Sequence, residues 1–269
     1  MPMPIASHER AQMERSLRER YEDVKARIAA AARRIGRAPE DILLVAVTKY
    51  ASIDLVRALV ELGHVDLGES RLQALQQRVP QMDEFLGRHR QMSTARDVHP
   101  PAKVRWHMIG HLQRNKVKKL LPLVRLVHSV DSLRLAEEIQ NHAGRLEDPV
   151  EVLVQVNVTG EKQKYGVAPA AARHLVEQIE TMMNMRVRGL MCIAEDVVDP
   201  IAIRHAFQLC AELFDDIRHH NHCGERFNIL SMGMTNDFEI AIECGANVVR
   251  VGSAIFGERR TDVPEDDEA

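Results

Sequence analysis

The chain has 269 residues, of which 45% are hydrophobic and 28% charged, a composition typical of a globular protein with a large core. A formal net charge of -3 argues against broad binding to nucleic-acid phosphates, and only 4% of the residues are aromatic, which leaves few platforms for base stacking. The four cysteines form no Cys-x-x-Cys pair, and neither a secretory signal nor an apolar run long enough to span a membrane is visible. We therefore expect a cytoplasmic protein that binds small molecules, without nucleic acid or membrane partners.

The first predicted element is a helix over about 7–36. Apolar residues recur at helical intervals from Met13 to Ile35, charged residues occupy the other face, and Gly36 with Pro39 ends the pattern. We expect this helix to pack on a larger body.

Strand-like and helix-like segments alternate through the rest of the chain. The predicted strands cover about 42–47, 65–67, 106–109, 126–128, 150–158, 187–193, 227–230 and 247–251. Eight strands that alternate with helices in roughly 220 residues predict an α/β fold with a single (β/α)₈ TIM-type barrel domain over 1–257. A doubly wound open sheet is the alternative, but it usually carries a glycine-rich first turn, and here that turn reads Thr-Lys-Tyr-Ala-Ser.

Two segments fall outside this alternation. Residues 80–103 are long for a loop and contain Pro100-Pro101, so we predict an inserted helix followed by an irregular connection. Residues 258–269 are acidic, and we predict a disordered tail.

Three strand ends carry residues suited to chemistry, and in a barrel such ends meet at one face. Lys49 follows the first strand, where a lysine that loses its hydration can react as a neutral amine with a carbonyl compound. Ser231 and Thr235 follow the seventh strand and offer hydroxyl groups. Taken singly, Lys49 is more typical of a solvated lysine, and Ser231 and Thr235 are equally typical of a turn that caps the next helix.

The eighth strand ends in Arg250-Val251-Gly252-Ser253. Gly252 and Ser253 predict the start of a short helix whose backbone N–H groups can bind an anion, at the place where barrels commonly bind phosphate. Arg250 should share a face with Gly252 because strands have a period of two. With Lys49, these ends predict a site for a phosphorylated carbonyl compound, either pyridoxal 5′-phosphate or a phosphosugar of a Schiff-base aldolase.

Other polar clusters are weaker candidates. His107 and His111 are spaced like two metal ligands on one helix, but Gly110 breaks that helix and the glutamate of a zinc protease is absent. The group His219, His220, His222 and Cys223 is more typical of a solvated helix end. We predict no metal site. The basic run 114–119, with the inserted segment, supports a further hypothesis of regulatory binding to a macromolecule.

Several motifs together resemble a known family. They are Val45 to Lys49, Gly68 to Arg71, Trp106 to Lys116, Ser129 to Ser132, Val154 to Asn157, Gly189 to Met191, Leu230 to Phe238 and Val249 to Gly257. In this combination they resemble the pyridoxal phosphate homeostasis protein family, whose barrel is similar to the N-terminal domain of alanine racemase. The resemblance runs in order from about residue 10 to residue 258.

The resemblance implies that Lys49 holds pyridoxal 5′-phosphate as a Schiff base and that the phosphate lies at the ends of the seventh and eighth strands. It places Arg250 at the pyridine nitrogen, where an arginine weakens the ring as an electron sink. The cofactor-binding residues that it implies are Lys49, Ser231, Thr235, Arg250, Gly252 and Ser253.

The resemblance also implies cofactor homeostasis or delivery, without catalytic turnover. Alanine racemase-like enzymes carry a second, β-rich domain with a catalytic tyrosine, and we expect none here because the sequence after Gly257 is short. Tyr50 should point to the side of the strand end opposite Lys49. We expect a monomer that supplies the apo forms of pyridoxal phosphate enzymes, and the alternative is a pyridoxal phosphate-dependent amino-acid racemase of low activity.

Three features depart from the family pattern. Ser70 stands where the family usually has asparagine. Arg114 replaces a small polar residue and adds charge near the site mouth. The segment 81–103 is longer than usual.

Overall fold

The computed structural model describes residues 7–92, 101–161, 163–194, 199–220 and 224–257. Within these ranges, eight parallel strands pair in chain order, and the last pairs with the first to close a barrel. The strands are β1 Leu43–Val47, β2 Asp66–Glu69, β3 Arg105–Met108, β4 Leu126–Val130, β5 Val150–Val156, β6 Met185–Cys192, β7 Ile229–Ser231 and β8 Val248–Val251. The prediction of a (β/α)₈ barrel is confirmed.

Within the described residues, helices cover the outside of the barrel. They are α1 Ser7–Arg34, α2 Ile53–Glu61, α3 Leu72–Met92, α4 Val117–Leu120, α5 Leu133–Ala143, α6 Pro169–Glu180, α7 Pro200–His220, α8 Phe238–Glu243 and α9 Ser253–Phe256. The strands are buried almost along their full length because one face meets the helices and the other meets the barrel interior. In the described part of the chain, no helix combines the length and the apolar character needed to cross a bilayer.

Helix α1 packs against the part of the barrel that carries β8. Its residues Leu17 and Val24 are fully buried, as the amphipathic pattern predicts. The Nε atom of Arg20 donates a hydrogen bond of 2.8 Å to the carbonyl of Ile255 in α9, and Arg27 lies 2.7 Å from Glu239 in α8. Helix α1 therefore supports the two short helices that flank β8.

The predicted inserted helix is wrong as a separate element, because α3 runs without interruption from Leu72 to Met92 and includes Pro80. Leu75, Met82 and Leu86 are buried and continue one helical face across the proline. Pro80 itself is exposed, so its ring lies on the solvent side of the helix. Residues 93–100 of the predicted insertion and the predicted acidic tail at 258–269 lie outside the described residues.

Between β3 and β4 the chain forms only a short α-helix. A 3₁₀ turn covers Arg114–Lys116, α4 covers only Val117–Leu120, and a second 3₁₀ turn covers Leu121–Leu123. Pro122 has no backbone N–H to donate to a preceding helical turn, so the α-helical hydrogen bonds end here.

Candidate functional site

Lys49 lies two residues beyond β1, in the turn that leads to α2, and its side chain is half-buried. The preceding residue, Thr48, is buried and fixes this turn to β2. Its hydroxyl donates to the carbonyl of Gly68 at 3.1 Å and to the carboxylate of Glu69 at 2.9 Å, and its backbone N–H donates to Gly68 at 2.9 Å. The backbone that carries Lys49 is therefore held by the neighbouring strand.

Glu69 organises the turn from the end of β2. Its side chain is fully buried, and its carboxylate accepts hydrogen bonds from Thr48 and from the backbone N–H of Ser70, at 2.8 Å for the latter. Arg78 on α3 lies 3.6 Å from the same carboxylate. Because a buried carboxylate requires such partners, these contacts keep Glu69 in place. The motif from Gly68 to Arg71 includes Glu69, but the sequence alone did not predict this role.

Tyr50 lies beside Lys49 rather than on the opposite side of the strand end, so that prediction is wrong. The Nζ atom of Lys49 is 5.0 Å from the centroid of the Tyr50 ring, within the range of a cation–π contact. The strand ends at Val47, so residues 49 and 50 belong to a turn in which side chains no longer alternate between faces.

The loop after β7 depends on Gly233. Its φ of +89° lies in the left-handed region, and a Cβ atom there would come within 2.6 Å of the Cβ of Ala241 and 2.8 Å of the Cα of Phe238. The carbonyl of Gly233 accepts the backbone N–H of Arg250 at 3.0 Å. A glycine is therefore required for this loop to reverse direction and meet β8.

Thr235, Gly252 and Ser253 form a compact donor group at the ends of β7 and β8. The Oγ1 atom of Thr235 lies 3.2 Å from the Oγ atom of Ser253 and accepts the backbone N–H of Gly252 at 3.4 Å. Ser253 is exposed, and Thr235 and Gly252 are partly exposed. Two hydroxyls and one backbone N–H thus meet where an anion can reach them.

Gly252 also connects this donor group to the strand that leads to Lys49. A Cβ atom on Gly252 would lie 3.3 Å from both the Cβ and the carbonyl oxygen of Val47. Residue 252 therefore packs tightly against the end of β1, which pairs with β8. The lysine turn and the donor group sit on neighbouring strands at the same end of the barrel.

Ser231 does not join the donor group. Its side chain is fully buried, and its hydroxyl lies 2.7 Å from Nη1 of Arg250 and 3.0 Å from Nδ1 of His128. Arg250 is also buried, and its Nη2 donates to the carbonyl of Cys192 at 2.9 Å. Burial lowers the pKa of the Arg250 guanidinium. The side chains of Ser231 and Arg250 therefore meet inside the barrel.

A cleft of about 600 Å³ borders the loops after β3 and β4. Arg114 lines it together with His111, Asn115, Asp131, Ser132 and Arg134. His111 stacks on Tyr165 at a centroid distance of 3.7 Å and lies 3.3 Å from Asp131. His107 points elsewhere, into the barrel, so the two histidines are not a ligand pair.

Within the described ranges, no three histidine, cysteine or acidic side chains are grouped as a metal site requires. The candidate cluster at the end of α7 is described only in part. The Nδ1 atoms of His219 and His220 donate hydrogen bonds to the backbone carbonyls of Asp215 and Asp216, one turn earlier, at 2.6 and 2.9 Å. His222 and Cys223 lie outside the described residues.

Comparison with known proteins places this architecture among close relatives. The family model described as alanine racemase, N-terminal domain, matches residues 21–260. A pyridoxal phosphate homeostasis protein from Aquifex aeolicus (strain VF5) is 36% identical over 246 residues, which cover 90% of this chain and 98% of the relative.

Two solved structures extend the comparison. An unknown protein from Bifidobacterium adolescentis has a TM-score of 0.83 and 34% sequence identity, over 95% of this chain and 98% of that one. PipY of Synechococcus elongatus PCC7942, with PLP bound, has a TM-score of 0.72 and 26% identity, over 90% of this chain and 100% of that one.

Proposed function

Because this chain belongs to the pyridoxal phosphate homeostasis protein family, we propose that it binds pyridoxal 5′-phosphate (PLP) at the ends of β1, β7 and β8. The observation that carries the proposal is the placement of Lys49 and the donor group of Thr235, Gly252 and Ser253 on neighbouring strand ends. These residues fit the two distinctive groups of PLP, an aldehyde and a phosphate.

We assign the aldehyde to Lys49. Its amine nitrogen would add to the aldehyde carbon, with release of one water molecule, to hold PLP as a Schiff base. The contacts of Thr48 and Glu69 support this role because they fix the turn while leaving the lysine side chain half-buried. A rigid backbone limits the orientations from which the amine can attack.

We assign the phosphate to Thr235, Gly252 and Ser253, whose hydroxyl and N–H groups converge at an accessible point. Ser231 is reassigned in this proposal, because its hydroxyl is already engaged by Arg250 and His128 inside the barrel. We propose that Ser231 orients Arg250 rather than the phosphate.

We assign Arg250 to the pyridine nitrogen of PLP. An arginine donates a hydrogen bond but does not protonate the nitrogen, because its guanidinium retains its proton under all ordinary conditions. An unprotonated ring withdraws electrons weakly, which disfavours the carbanion chemistry of a PLP enzyme. The cofactor is therefore held rather than used.

The same proposal includes release of PLP to apo forms of PLP enzymes, by a monomer in the cytoplasm. Of the cysteines that the structure describes, Cys192, Cys210 and Cys244 form no disulfide, which fits a reducing compartment. A racemase of low activity is the alternative, and it needs acid–base groups on opposite faces of the substrate. Tyr50 lies beside the Lys49 amine, so it is poorly placed to supply the opposite face.

The site is tested by incubating purified protein with PLP, reducing it with borohydride and mapping the modified peptide by mass spectrometry. We expect a pyridoxyl group on Lys49 and its loss from that peptide in Lys49→Arg, which keeps the positive charge. Lys118→Arg, at an exposed position on α4, is the matched control and should label as the wild type does. Absence of label at Lys49 would refute the assignment.

The role is tested with the PLP-loaded protein. We expect it to restore the activity of a PLP-depleted PLP enzyme, whereas Lys49→Arg protein carried through the same loading and desalting should not. In deuterated water, loaded protein should leave the α-hydrogen of alanine, lysine and glutamate unexchanged. Exchange that disappears in Lys49→Arg would favour the racemase.

A further inference from the structure

A chain of hydrogen bonds crosses the barrel interior from β8 to β2. It begins at Arg250, passes through Ser231 on β7, His128 on β4 and His107 on β3, and ends at Asp66 on β2. The four successive donor–acceptor distances are 2.7, 3.0, 3.0 and 3.1 Å. All five side chains are buried. Buried polar groups are costly unless they are paired. In this hydrogen-bond chain, each buried side chain is paired with the next one.

The far end of the chain is a firmly ionised carboxylate. Burial alone would raise the pKa of Asp66, but hydrogen bonds from Arg105 and His107 outweigh it and lower that pKa to about 2. Arg105 holds both carboxylate oxygens, at 2.7 and 2.5 Å. At neutral pH, Asp66 can therefore only accept hydrogen bonds.

With both imidazoles neutral, an acceptor at one end fixes the direction of the whole hydrogen-bond chain. Since Asp66 accepts, Nε2 of His107 carries a hydrogen, and in a neutral imidazole Nδ1 is then an acceptor. His128 must in turn donate from Nε2 and accept at Nδ1. Burial, and then the nearby charge of Arg250, lower the pKa of His128 well below its usual value, so its ring is neutral. The Ser231 hydroxyl then donates to His128, which leaves its oxygen to accept from Arg250.

We propose that His107 and His128 are positioning residues for Arg250, which they hold in one orientation toward the PLP ring through a one-directional chain ending at Asp66. This inference rests on the proposed function of the site. The acceptors that Arg250 contacts, the hydroxyl of Ser231 and the carbonyl of Cys192, are neutral. The chain polarises the first of these acceptors toward the guanidinium, because each hydrogen bond strengthens its neighbour.

The direction of the chain is tested without any cofactor. In protein labelled with nitrogen-15 at histidine, ring nitrogen shifts and their couplings to ring protons identify each tautomer by NMR. We expect both His107 and His128 as neutral Nε2–H tautomers at pH 7.5. An Nδ1–H tautomer at His128 would overturn the proposal, because His128 would then donate to the Ser231 hydroxyl instead of accepting a hydrogen bond from it.

The positioning role is tested with PLP. Asp66→Asn keeps the shape of the side chain but removes its charge four hydrogen bonds away from Arg250, and Ser231→Ala cuts the last link. We expect each variant to shift the absorbance band of bound PLP and to weaken PLP binding by up to about tenfold, the value of one ordinary hydrogen bond. The double variant should be no worse than Ser231→Ala, because the remote change acts only through the link already cut.

Tyr21→Phe is the matched control. It removes a buried hydroxyl that contacts His64 at 3.2 Å, beside the chain but outside it, and should leave the PLP spectrum unchanged. Should Asp66→Asn not fold, His107→Gln provides the second remote variant. A wild-type spectrum and affinity in the remote variant, or additive losses in the double variant, would overturn the positioning role. Failure of the wild type to bind PLP would instead remove the proposed function, and the positioning role with it, whatever tautomers NMR reports.

Discussion

At Lys49, the reactive group and its support come from different parts of the sequence. The side chain is half-buried, whereas Thr48 before it is fully buried and bonded to Glu69 of the next strand. A flexible lysine has many rotamers to lose on binding, so a fixed backbone reduces the entropy cost of placing its amine. Lys49 thus combines a half-buried side chain with a fixed backbone.

The hydroxyls of Ser231, at the end of β7, and Thr235, in the loop after it, should behave differently toward PLP. Thr235→Val removes a hydroxyl from the accessible donor group, and we expect about tenfold weaker binding of PLP because a hydrogen bond to a charged phosphate is lost. Binding of pyridoxal, which lacks the phosphate, should change little. Competition against a fluorescent PLP complex would measure both affinities.

Ser231→Ala provides the comparison for Thr235→Val. Since Ser231 contacts Arg250 and not the donor group, its loss should weaken PLP and pyridoxal by the same factor. If Ser231→Ala weakened PLP alone, the phosphate would contact Ser231 after all, and the assignment of the two hydroxyls would have to be exchanged.

The different positions of Ser231 and Thr235 show what sequence patterns could not decide. The motif predicted that both hydroxyls lie near the strand end, but the predicted strand stopped at residue 230, whereas β7 includes Ser231. A strand alternates its side chains between faces, so one residue at the boundary decides whether a hydroxyl enters the barrel. Thr235 lies beyond the turn at Gly233, so the conformation of that turn decides where its hydroxyl group points.

The motifs did not predict the buried hydrogen-bond chain either, although the sequence contains a signal for it. His107 stands between Trp106 and Met108 in one predicted strand, and His128 follows the apolar Leu126 and Val127 in the next, where a buried polar side chain needs a partner. Which partner it finds depends on the shear and closure of the barrel, because Ser231 and His128 are 103 positions apart in the chain. Long-range pairing of this kind cannot be obtained from periodicity.

At the scale of elements, the strands were easier to predict than the helix that contains Pro80. Proline usually interrupts a helix because its ring clashes with the preceding turn and its nitrogen has no hydrogen. In α3, the buried face of Leu75, Met82 and Leu86 continues on both sides of the proline, and its packing outweighs the lost backbone hydrogen bond. The spacing of the apolar residues was therefore a better guide to this helix than the presence of Pro80.

Two glycine substitutions should change stability in opposite directions. Gly87 lies inside α3, and a Cβ atom there would meet no atom within 4 Å. Gly87→Ala should therefore raise the free energy of unfolding by about 0.5–1 kcal/mol, since alanine loses less entropy in a helix. Urea denaturation followed by circular dichroism would measure the difference.

Gly233→Ala is the opposing variant. The positive φ of Gly233 and the close approach of Ala241 and Phe238 leave no room for a methyl group, so we expect a loss of about 2 kcal/mol or more and impaired PLP binding. Stabilisation by this variant would mean that the loop after β7 has a different backbone from the one described.

At the scale of the whole molecule, the proposed PLP site and the Asp66 end of the buried hydrogen-bond chain lie at opposite ends of the barrel. The proposed PLP residues lie at the carboxyl ends of β1, β7 and β8, whereas Asp66 and Arg105 begin β2 and β3. The buried chain joins these ends through the interior, where an apolar cluster of Leu126, Leu153 and Met191 also lies. A change in the interior should therefore affect stability and cofactor binding together.

Two buried histidines make the stability of the barrel dependent on pH. Burial lowers the pKa of His64, and burial together with the charge of Arg250 lowers that of His128 well below the usual value. Below about pH 6.5 the unfolded chain binds a proton at each of these positions, while the folded chain does not. The unfolded state thus gains protons, so the folded state loses stability as the pH falls.

The expected slope below pH 6.5 is up to about 1.4 kcal/mol per pH unit for each of the two histidines. Urea denaturation at intervals between pH 7.5 and 5 would measure it, above the range in which carboxylates take up protons. In His128→Asn the slope should fall by about one proton. His205→Asn, at an exposed position on α7, is the control and should leave the slope unchanged. A flat profile in the wild type would contradict the burial of neutral histidines, and the direction assigned to the hydrogen-bond chain depends on that neutrality.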